Sequence, residues 1–423
     1  MQPDRFATRL AEAGREGEAT FVAANVGVHR ASTVLFDTLA ATDAAAAAVA
    51  EGRPRATTYG TVGTPTTMAL MDALCEIEGG GHDVRASLTP SGLAAITTAL
   101  LAMLAPGDHV LVADSSYGPT RVFCDGMLAR MGVQTTYYDP TVGAAIEALL
   151  RPETKLIWLE SPGSYTFEVQ DVPAICAIAR ERGIATMIDN TWASPVFARP
   201  FDWGVDASVL ALTKYWGGHS DVLMGAVVVR ETLWPKLWSA VRQLGQCASG
   251  DDAYLVLRGL RSVDARMRRH EANAIEVARW LEARDEVAGV LYPALPSHPQ
   301  HALWRRDFSG ASGLFSFALD RALLARERAP EHTREPERTR EPERTRERSA
   351  LAALCERRRH FAIGYSWGGF ESLVMPARID RMRSAKPWDG GPLVRLHVGL
   401  EDPADLIADL ADGFDAMHRA LGG

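Results

Sequence analysis

The sequence predicts an α/β fold in which a mainly parallel β-sheet is covered by helices. From about residue 85, short apolar runs such as VRASLTP, HVLVAD and IATMIDN alternate with stretches of helical periodicity, among them 91–104 and 172–182. Strands separated by helices usually pair in parallel through right-handed crossovers. Ligands of such sheets bind beyond the carboxyl ends of the strands, so the residues that follow each apolar run are the candidate site residues.

The other elements divide the chain into an arm, a large domain and a small domain. Residues 1–64 are polar and irregular and predict an N-terminal arm, which leaves 65–260 for the large domain. A smaller α+β domain is expected over 261–423. It contains the apolar runs GLFSFAL, FAIGYS and LVRLHVG as possible strands, and a closing helix over 402–421 that opens on Asp-Pro.

A charged segment over 326–348 interrupts the small domain. Its prolines, at 330, 336 and 342, recur every six residues, and its Arg and Glu residues nearly cancel in charge. Proline at that period forbids a continuous helix, and the lack of apolar residues leaves nothing to bury. We expect a solvated surface insertion, with a partner-binding segment as the alternative.

Composition excludes several classes of function. The 423 residues carry 45 basic and 53 acidic side chains, a formal net charge of −8, which does not suit nucleic-acid binding. No apolar run approaches the ~20 residues that a bilayer span needs, so no membrane partner is expected. The first residues lack an apolar signal core, and the five cysteines are scattered without a C-x-x-C pair. These features favour a reducing cytoplasm.

Lysine chemistry has four possible positions, because 41 of the 45 basic residues are arginines. Lys214 ends the apolar run SVLALTK and precedes Tyr-Trp-Gly-Gly. The other three lysines are expected to be solvated charges: Lys155 opens a strand after Pro-Glu-Thr, Lys236 follows Trp-Pro, and Lys386 lies among Arg and Ser. An amine at a strand's carboxyl edge is desolvated, which lowers its pKa and favours nucleophilic or Schiff-base chemistry.

Other residues at strand ends fit a pyridoxal phosphate site around Lys214. Asp189 directly follows IATMI and could hold a pyridine nitrogen protonated, although a lone Asp there is as often a helix cap. Residues 89–93 form a strand-to-helix junction whose N–H groups could bind a phosphate, helped by the Thr213 and Ser91 hydroxyls. Tyr117 could stack on an aromatic ring or simply be packed.

Arg395 interrupts the apolar run LVRLHVGL, where a charged side chain needs a partner. Its planar guanidinium suits a substrate carboxylate. The alternative is a structural ion pair with an acidic neighbour.

Two rival sites are weaker. Residues 364–368 match G-x-S-x-G around Ser366, and Asp389 and His397 follow in the order of a hydrolase triad, but glycines rather than a helix follow the serine. His298 and His301 bracket a proline without an acidic or Cys partner at ligand spacing, so no metal is predicted.

Several blocks of the chain, in order, resemble the pyridoxal-phosphate enzymes of Cys/Met metabolism. They are MALMDALCEIEGG, ESPGSYTFEVQDVP, IDNTWASPVF, TKYWGGHSD, AYLVLRGLR, GLFSFAL, GYSWGGFESL and LVRLHVGLEDPADLIADL. The resemblance covers nearly the whole chain apart from the charged segment. It implies fold type I of the pyridoxal-phosphate-dependent transferase-like enzymes.

The resemblance also implies roles for single residues. Lys214 is similar to the lysine that links covalently to the cofactor and moves the substrate's Cα proton. The cofactor would be held by Asp189 at the ring nitrogen, Tyr117 on the ring, and Gly92, Leu93 and Thr213 at the phosphate. Arg395, helped by Ser366 and Trp367, would bind the substrate carboxylate.

The arm carries a departure from the family pattern. Tyr59 is similar to a tyrosine that reaches the neighbouring subunit's site, which implies an active dimer within a homotetramer. The family commonly has a phosphate-binding arginine two residues later, where this chain has Thr61; Arg55 could compensate, or cofactor affinity could be lower.

The reaction branch is inferred from resemblance as well. The run 366–372 and the ESPGS block are similar to the branch that performs β-elimination, which converts cystathionine to homocysteine, pyruvate and ammonia. The same residue set supports γ-elimination and γ-replacement, which remain the alternatives, and γ-acting relatives usually have leucine at the position of Trp367.

Overall fold

A computed structural model describes residues 4–14, 23–322, 340–379 and 382–422 of the protein. Its larger sheet has seven strands in the order β1-β7-β6-β5-β4-β2-β3. These are β1 (Val84–Thr89), β2 (His109–Ala113), β3 (Gln134–Tyr138), β4 (Thr154–Glu160), β5 (Ala185–Asp189), β6 (Ala207–Ala211) and β7 (Gly225–Arg230). Strands β2 to β6 pair in parallel, and β7 lies antiparallel between β1 and β6.

The central strands are buried on both faces, as a helix-covered parallel sheet requires. Alternate residues of β2 and β4 belong to two different apolar clusters: Leu111 and Leu159 pack on one face, and Val112 and Trp158 on the other. A run that is apolar at every position therefore results from burial on two sides rather than from amphipathic alternation.

Helices cover both faces and link the strands. The helices α1 to α7 are Phe6–Glu12, Leu39–Ala50, Pro65–Ile77, Gly92–Met103, Gly118–Phe123, Val172–Glu181 and Ser194–Phe197. The helices α8 to α13 are Trp234–Gln243, Gly250–Leu260, Val263–Glu282, His301–Asp307, Arg340–Cys355 and Pro403–Leu421. A π-helical turn, Cys124–Leu128, continues α5, and short 3-10 turns span Gly143–Leu149, Pro200–Trp203 and Glu231–Leu233.

Local sequence explains where several helices begin. Helix α3 starts at a capping box between Thr64 and Thr67 with Pro65 at the first helical position. Helix α13 also has proline, Pro403, at its first position, and the Asp402 carboxylate caps it by accepting from the N–H of Ala404 at 2.9 Å.

The second sheet is antiparallel throughout, with the order β10-β11-β9-β8. Its strands are β8 (Val287–Leu291), β9 (Leu314–Leu319), β10 (Leu373–Ala377) and β11 (Leu393–His397). Helices α12 and α13 pack against each other, and α12 also contacts β10. These elements lie within the stretch expected to form the small domain, whose limits at 65, 260 and 261 stay predictions.

Three expectations need correction. The run FAIGYS is not a strand; Ala362 makes one isolated bridge to Leu373, and the chain then turns through a left-handed Ser366 with φ 77°. Residues 340–348 are helical rather than an irregular insertion, because Pro342 falls in the first turn of α12, where its missing N–H costs no helical bond. The described part of the arm, residues 4–14 and 23–64, contains two helices, α1 and α2, where an irregular segment was expected. Residues 326–339 of the predicted insertion lie outside the described residues.

Candidate active site

The carboxyl ends of three neighbouring strands bring the main candidate residues to one edge of the sheet. Glu160 and Asp189 end β4 and β5 and are direct partners in the parallel ladder. Lys214 follows β6 after a tight turn in which its N–H donates to the carbonyl of Ala211 at 3.0 Å. This edge is where ligands bind in such sheets.

The Lys214 amine lies in a desolvated and electropositive position. Burial and the nearby charge of Arg395 lower its pKa to about 8, against the opposing effect of Asp189. Nζ donates to the Ser366 hydroxyl at 2.5 Å and lies 5.1 Å from the centre of the Trp367 ring. A larger neutral fraction at physiological pH makes this amine a nucleophile and a base.

Residues 366–368 connect Lys214 to Arg395. The carbonyl of Ser366 accepts from Arg395 Nη2 at 3.1 Å, while its hydroxyl contacts Lys214. Gly368 has φ 90°, and a Cβ at this position would lie 3.0 Å from the Lys214 Cα. Glycine is therefore required here both for its backbone conformation and for close packing on the lysine.

Arg395 has the features of an anion-binding residue. It lies in the middle of β11, half-buried, and burial lowers its pKa against the opposing effects of Tyr165 and Tyr117. Among the described residues it forms no salt bridge, and its one hydrogen bond to a described partner is to the Ser366 carbonyl. The alternative of a structural ion pair is therefore not supported, and guanidinium N–H groups remain for a carboxylate.

Asp189 lies close enough to Tyr117 to influence its ionisation. Burial raises the pKa of Asp189, while hydrogen bonds from Thr191, including its N–H at 3.0 Å, and the charge of Lys214 lower it. Burial and Asp189 raise the pKa of Tyr117, whose N–H donates to Glu160 Oε2 at 2.7 Å. The Tyr117 side chain is 44% exposed, so its ring faces open space.

The N-terminus of α4 reaches the same edge. The Ser91 hydroxyl caps the helix by accepting from the N–H of Ala94 at 3.1 Å, and the N–H groups of Gly92 and Leu93 have no intrahelical acceptor. A Cβ on Gly92 would lie 2.6 Å from that of Ala211, so glycine lets α4 approach the end of β6. The Thr213 hydroxyl donates to the Met224 carbonyl at 3.2 Å, so it must rotate before it can donate to a phosphate.

The structure does not bring Tyr59 to this cluster within one chain. Tyr59 is 49% exposed and, with Thr61 and Arg242, lines a separate cavity of about 280 Å³ to which Lys214 does not contribute. Arg55 pairs with Asp72 at 2.5 Å at the surface, so its charge is already compensated.

The rival sites are not assembled. Ser366 contacts Lys214 rather than His397, whose Nε2 lies 3.1 Å from both the N–H of Gly368 and the carbonyl of Gly369. Burial and His270 lower the pKa of His397 well below its usual value, which makes it a poor general base. Over residues 4–14, 23–322, 340–379 and 382–422, no three His, Cys, Asp or Glu side chains form a group that could hold a metal ion. None of the helices in these ranges is long and apolar enough to cross a membrane.

Two contributors were missed as site residues by sequence reasoning. Glu160, which ends the apolar run KLIWLE, has no role in the sequence analysis, and neither has Tyr165, whose ring centre lies 5.7 Å from the Arg395 guanidinium. The pairing of Glu160 with Asp189 could have been inferred from their equivalent positions at the ends of adjacent strands. Tyr165 has a left-handed φ of 65° in a loop, and no local pattern predicts it.

Comparison with known proteins assigns the chain to a family. Residues 7–415 match the family described as Cys/Met metabolism PLP-dependent enzyme. The chain belongs to this family. This pyridoxal-phosphate-dependent family was the one inferred from the sequence blocks.

Relatives in this family agree over nearly the full length. A Rhizobium johnstonii chain provisionally named cystathionine beta-lyase is 48% identical over 97% of this chain and 96% of its own length. The cystathionine beta-lyase of Escherichia coli K12 is 40% identical, with 98% and 99% coverage. An L-alanine/L-glutamate racemase of Wolbachia pipientis is also 40% identical, with 95% and 94% coverage.

A solved structure supports the fold. The cystathionine gamma synthase of Xanthomonas oryzae, crystallised with aminoacrylate and cysteine, superimposes with a TM-score of 0.82 at 30% identity, covering 99% of this chain and 100% of its own. The fold is therefore type I of the pyridoxal-phosphate enzymes, as the sequence predicted.

The residues at the strand ends fit the family's cofactor. Pyridoxal phosphate has an aldehyde, a ring nitrogen and a phosphate, and the site offers the Lys214 amine, the Asp189 carboxylate and the free N–H groups at the start of α4. The open ring face of Tyr117 lies beside Asp189. A nucleophilic amine for the aldehyde, a carboxylate for the ring nitrogen and an anion-binding helix end for the phosphate are thus available together.

Proposed function

We propose that the protein is a pyridoxal-phosphate-dependent carbon-sulfur lyase that converts cystathionine to homocysteine, pyruvate and ammonia by β-elimination. The names of the Rhizobium and Escherichia relatives support this reaction. The observation that carries the proposal is the contact of the half-buried Lys214 amine with Ser366, whose carbonyl in turn binds the Arg395 guanidinium. One residue therefore links the base to the carboxylate-binding group.

Each residue of the site has a definite task in this reaction. When bound, pyridoxal phosphate supplies an aldehyde for covalent attachment and a protonated ring that withdraws electrons from the substrate's Cα. Arg395 binds the α-carboxylate and so fixes the Cα–H bond, and the Lys214 amine removes the Cα proton. The thiolate then leaves from Cβ, and the three-carbon remainder hydrolyses to pyruvate and ammonia.

Other groups hold and cover the cofactor. The Asp189 carboxylate would keep the ring nitrogen protonated, and the ring of Tyr117 would cover the cofactor ring. The N–H groups of Gly92 and Leu93 would bind the phosphate, with the Thr213 hydroxyl as a further donor. Trp367 borders the substrate, and Ser366 orients Lys214.

The reaction is tested by product identification on purified protein. Incubation with cystathionine should release pyruvate, and Lys214→Ala should lower that rate by at least about 100-fold, the contribution of a general acid-base group. Lys236→Ala, which removes an exposed lysine of the surface helix α8, is the matched control and should retain the rate.

Each alternative predicts another product. Release of 2-oxobutyrate would identify a γ-acting enzyme. Formation of D-alanine from L-alanine without pyruvate from cystathionine would identify a racemase, which the Wolbachia relative makes a specific alternative. Either outcome would contradict the β-lyase proposal.

We further propose that two chains complete each site, in a homotetramer of active dimers, because Tyr59 lies in a different cavity from Lys214 within one chain. Co-refolding inactive Tyr59→Ala with inactive Lys214→Ala should restore about a quarter of wild-type activity, since half of randomly formed dimers carry one intact site of two. Absence of recovery would contradict the shared site.

The free state of Cys75, Cys124, Cys176, Cys247 and Cys355 supports a cytoplasmic protein.

A further inference from the structure

The buried carboxyl of Glu160 has no role in the proposed reaction, yet it lies between Asp189 and Tyr117, which both have one. It ends β4 as the direct ladder partner of Asp189, so both side chains leave the sheet on the same face at adjacent positions. Its Oε2 accepts from the N–H of Tyr117 at 2.7 Å. Tyr117 is the N-cap residue of α5. This hydrogen bond therefore ties the segment that carries the Tyr117 ring to the end of β4.

The surroundings of Glu160 disfavour a second negative charge. The residue is 9% exposed, and Asp189 lies beside it. Arg383 is a cation near Glu160, but among the described residues it binds both carboxylate oxygens of Glu168, at 3.2 and 3.0 Å, rather than Glu160. The backbone of Glu160 is fixed independently, because its N–H donates to the Gln170 side chain at 3.3 Å.

We propose that Glu160 is a positioning residue that works as an uncharged carboxylic acid, fixing the Tyr117 backbone while the negative charge of the carboxyl pair stays on Asp189. This inference rests on the proposed function, since it assigns Asp189 to the ring nitrogen and Tyr117 to the ring. Two adjacent desolvated carboxyls do not both ionise readily, so a proton on Glu160 preserves the charge of Asp189. Burial and Asp189 raise the pKa of Glu160, against the weaker effects of the Tyr117 N–H and Arg383, which agrees with this division.

Substitution by glutamine separates the neutral form from the ionised form. Glu160→Gln keeps a carbonyl oxygen for the Tyr117 N–H and carries no charge, so it should bind pyridoxal phosphate as tightly as the wild type. Glu160→Ala leaves that N–H without its acceptor and should weaken cofactor affinity about tenfold or more. The matched control is Glu147, an exposed carboxylate that pairs with Arg182; both substitutions there should leave affinity unchanged.

The second readout is the pH dependence of the bound cofactor's visible absorption. Among the described residues, three charged or titratable side chains face the Glu160 carboxyl: Asp189 from β5, Tyr117 from the turn into α5, and Arg383 from the segment before β11. If Glu160 is neutral, wild type and Glu160→Gln should give superimposable titrations. If Glu160 is ionised, the substitution removes a negative charge near the cofactor's cationic form and lowers the midpoint pH.

These results test the inference separately from the function. Equal affinity and an unchanged titration in Glu160→Gln support it, whether or not Glu160→Ala folds. A lowered midpoint, or a loss of affinity in Glu160→Gln, overturns it while the wild type still binds cofactor and releases pyruvate. Failure of the wild type itself to do either would instead contradict the proposed function.

Discussion

The lowered pKa of Lys214 predicts how fast the cofactor-free enzyme captures pyridoxal phosphate. Only the neutral amine attacks an aldehyde, and a pKa of about 8 in place of 10.5 raises the neutral fraction at pH 7 about 300-fold. Between pH 6 and pH 8 the neutral fraction should rise about 50-fold and then level off. Stopped-flow absorption of cofactor capture at several pH values measures this profile, with Nα-acetyl-lysine, whose ε-amine is free, as the solution reference.

The cause of the pKa shift can be tested in the same experiment. Arg395 is the cation that contributes to the shift, so Arg395→Gln should raise the pKa of Lys214 and move the plateau to higher pH. Burial, the larger cause, remains in that variant, so the profile should not return to that of free lysine. A wild-type rate that keeps climbing tenfold per pH unit beyond pH 9 would refute the assignment of a desolvated amine.

Three further predictions concern single residues. Arg395→Ala should raise KM for cystathionine at least about tenfold, because it removes a charge-assisted bond to the substrate carboxylate, and steady-state pyruvate assays measure it. Asp189→Asn should retain the cofactor by absorption but lower kcat about 100-fold, because the ring charge is no longer stabilised. Asp409→Ala should lower the free energy of unfolding by about 1–3 kcal/mol in urea titrations, since its carboxylate accepts from three consecutive N–H groups, those of Arg359, His360 and Phe361.

The effect at Asp409 has a definite pH sign. Burial alone would raise its pKa, but the three N–H donors and Arg358 lower it below the usual value. A carboxyl whose pKa is lower in the folded state stabilises the protein above the unfolded pKa and loses that contribution as the pH falls through the folded pKa. The difference in unfolding free energy between wild type and Asp409→Asn should therefore shrink in acid.

The sequence predicted the parts of the fold that are apolar throughout. The buried strands β2, β4, β5 and β6 were found because both of their faces pack on helices. The edge strand β3 was missed because QTTYY is mostly polar, and β10 was missed because it contains Pro376. The strand predicted over FAIGYS was wrong because apolar residues alone do not imply burial: Ile363 and Tyr365 are 53% and 86% exposed.

The site was predictable to the extent that strand ends identify it. Lys214, Asp189 and Tyr117 were named because each follows an apolar run, and the structure brings them together. Ser366 is 152 positions from Lys214 and 29 positions from Arg395 in the sequence, yet it contacts both. Such a contact depends on how the segment before β10 packs on the turn after β6, which no local pattern encodes.

The charges of the site form one coupled set, which makes each group's function depend on its neighbours. Arg395 lowers the pKa of Lys214, Lys214 lowers that of Asp189, and Asp189 raises that of Glu160. Loss of the Arg395 cation would let Lys214 hold its proton more strongly, which in turn would stabilise the Asp189 anion. A substitution of Arg395 that is meant to remove substrate binding thus also changes the ionisation of Lys214, the base, and of Asp189, which keeps the cofactor ring protonated. The capture profile of Arg395→Gln and the absorption titration of Glu160→Gln probe opposite ends of this set, and in both experiments the substrate is absent, so they separate its electrostatics from catalysis.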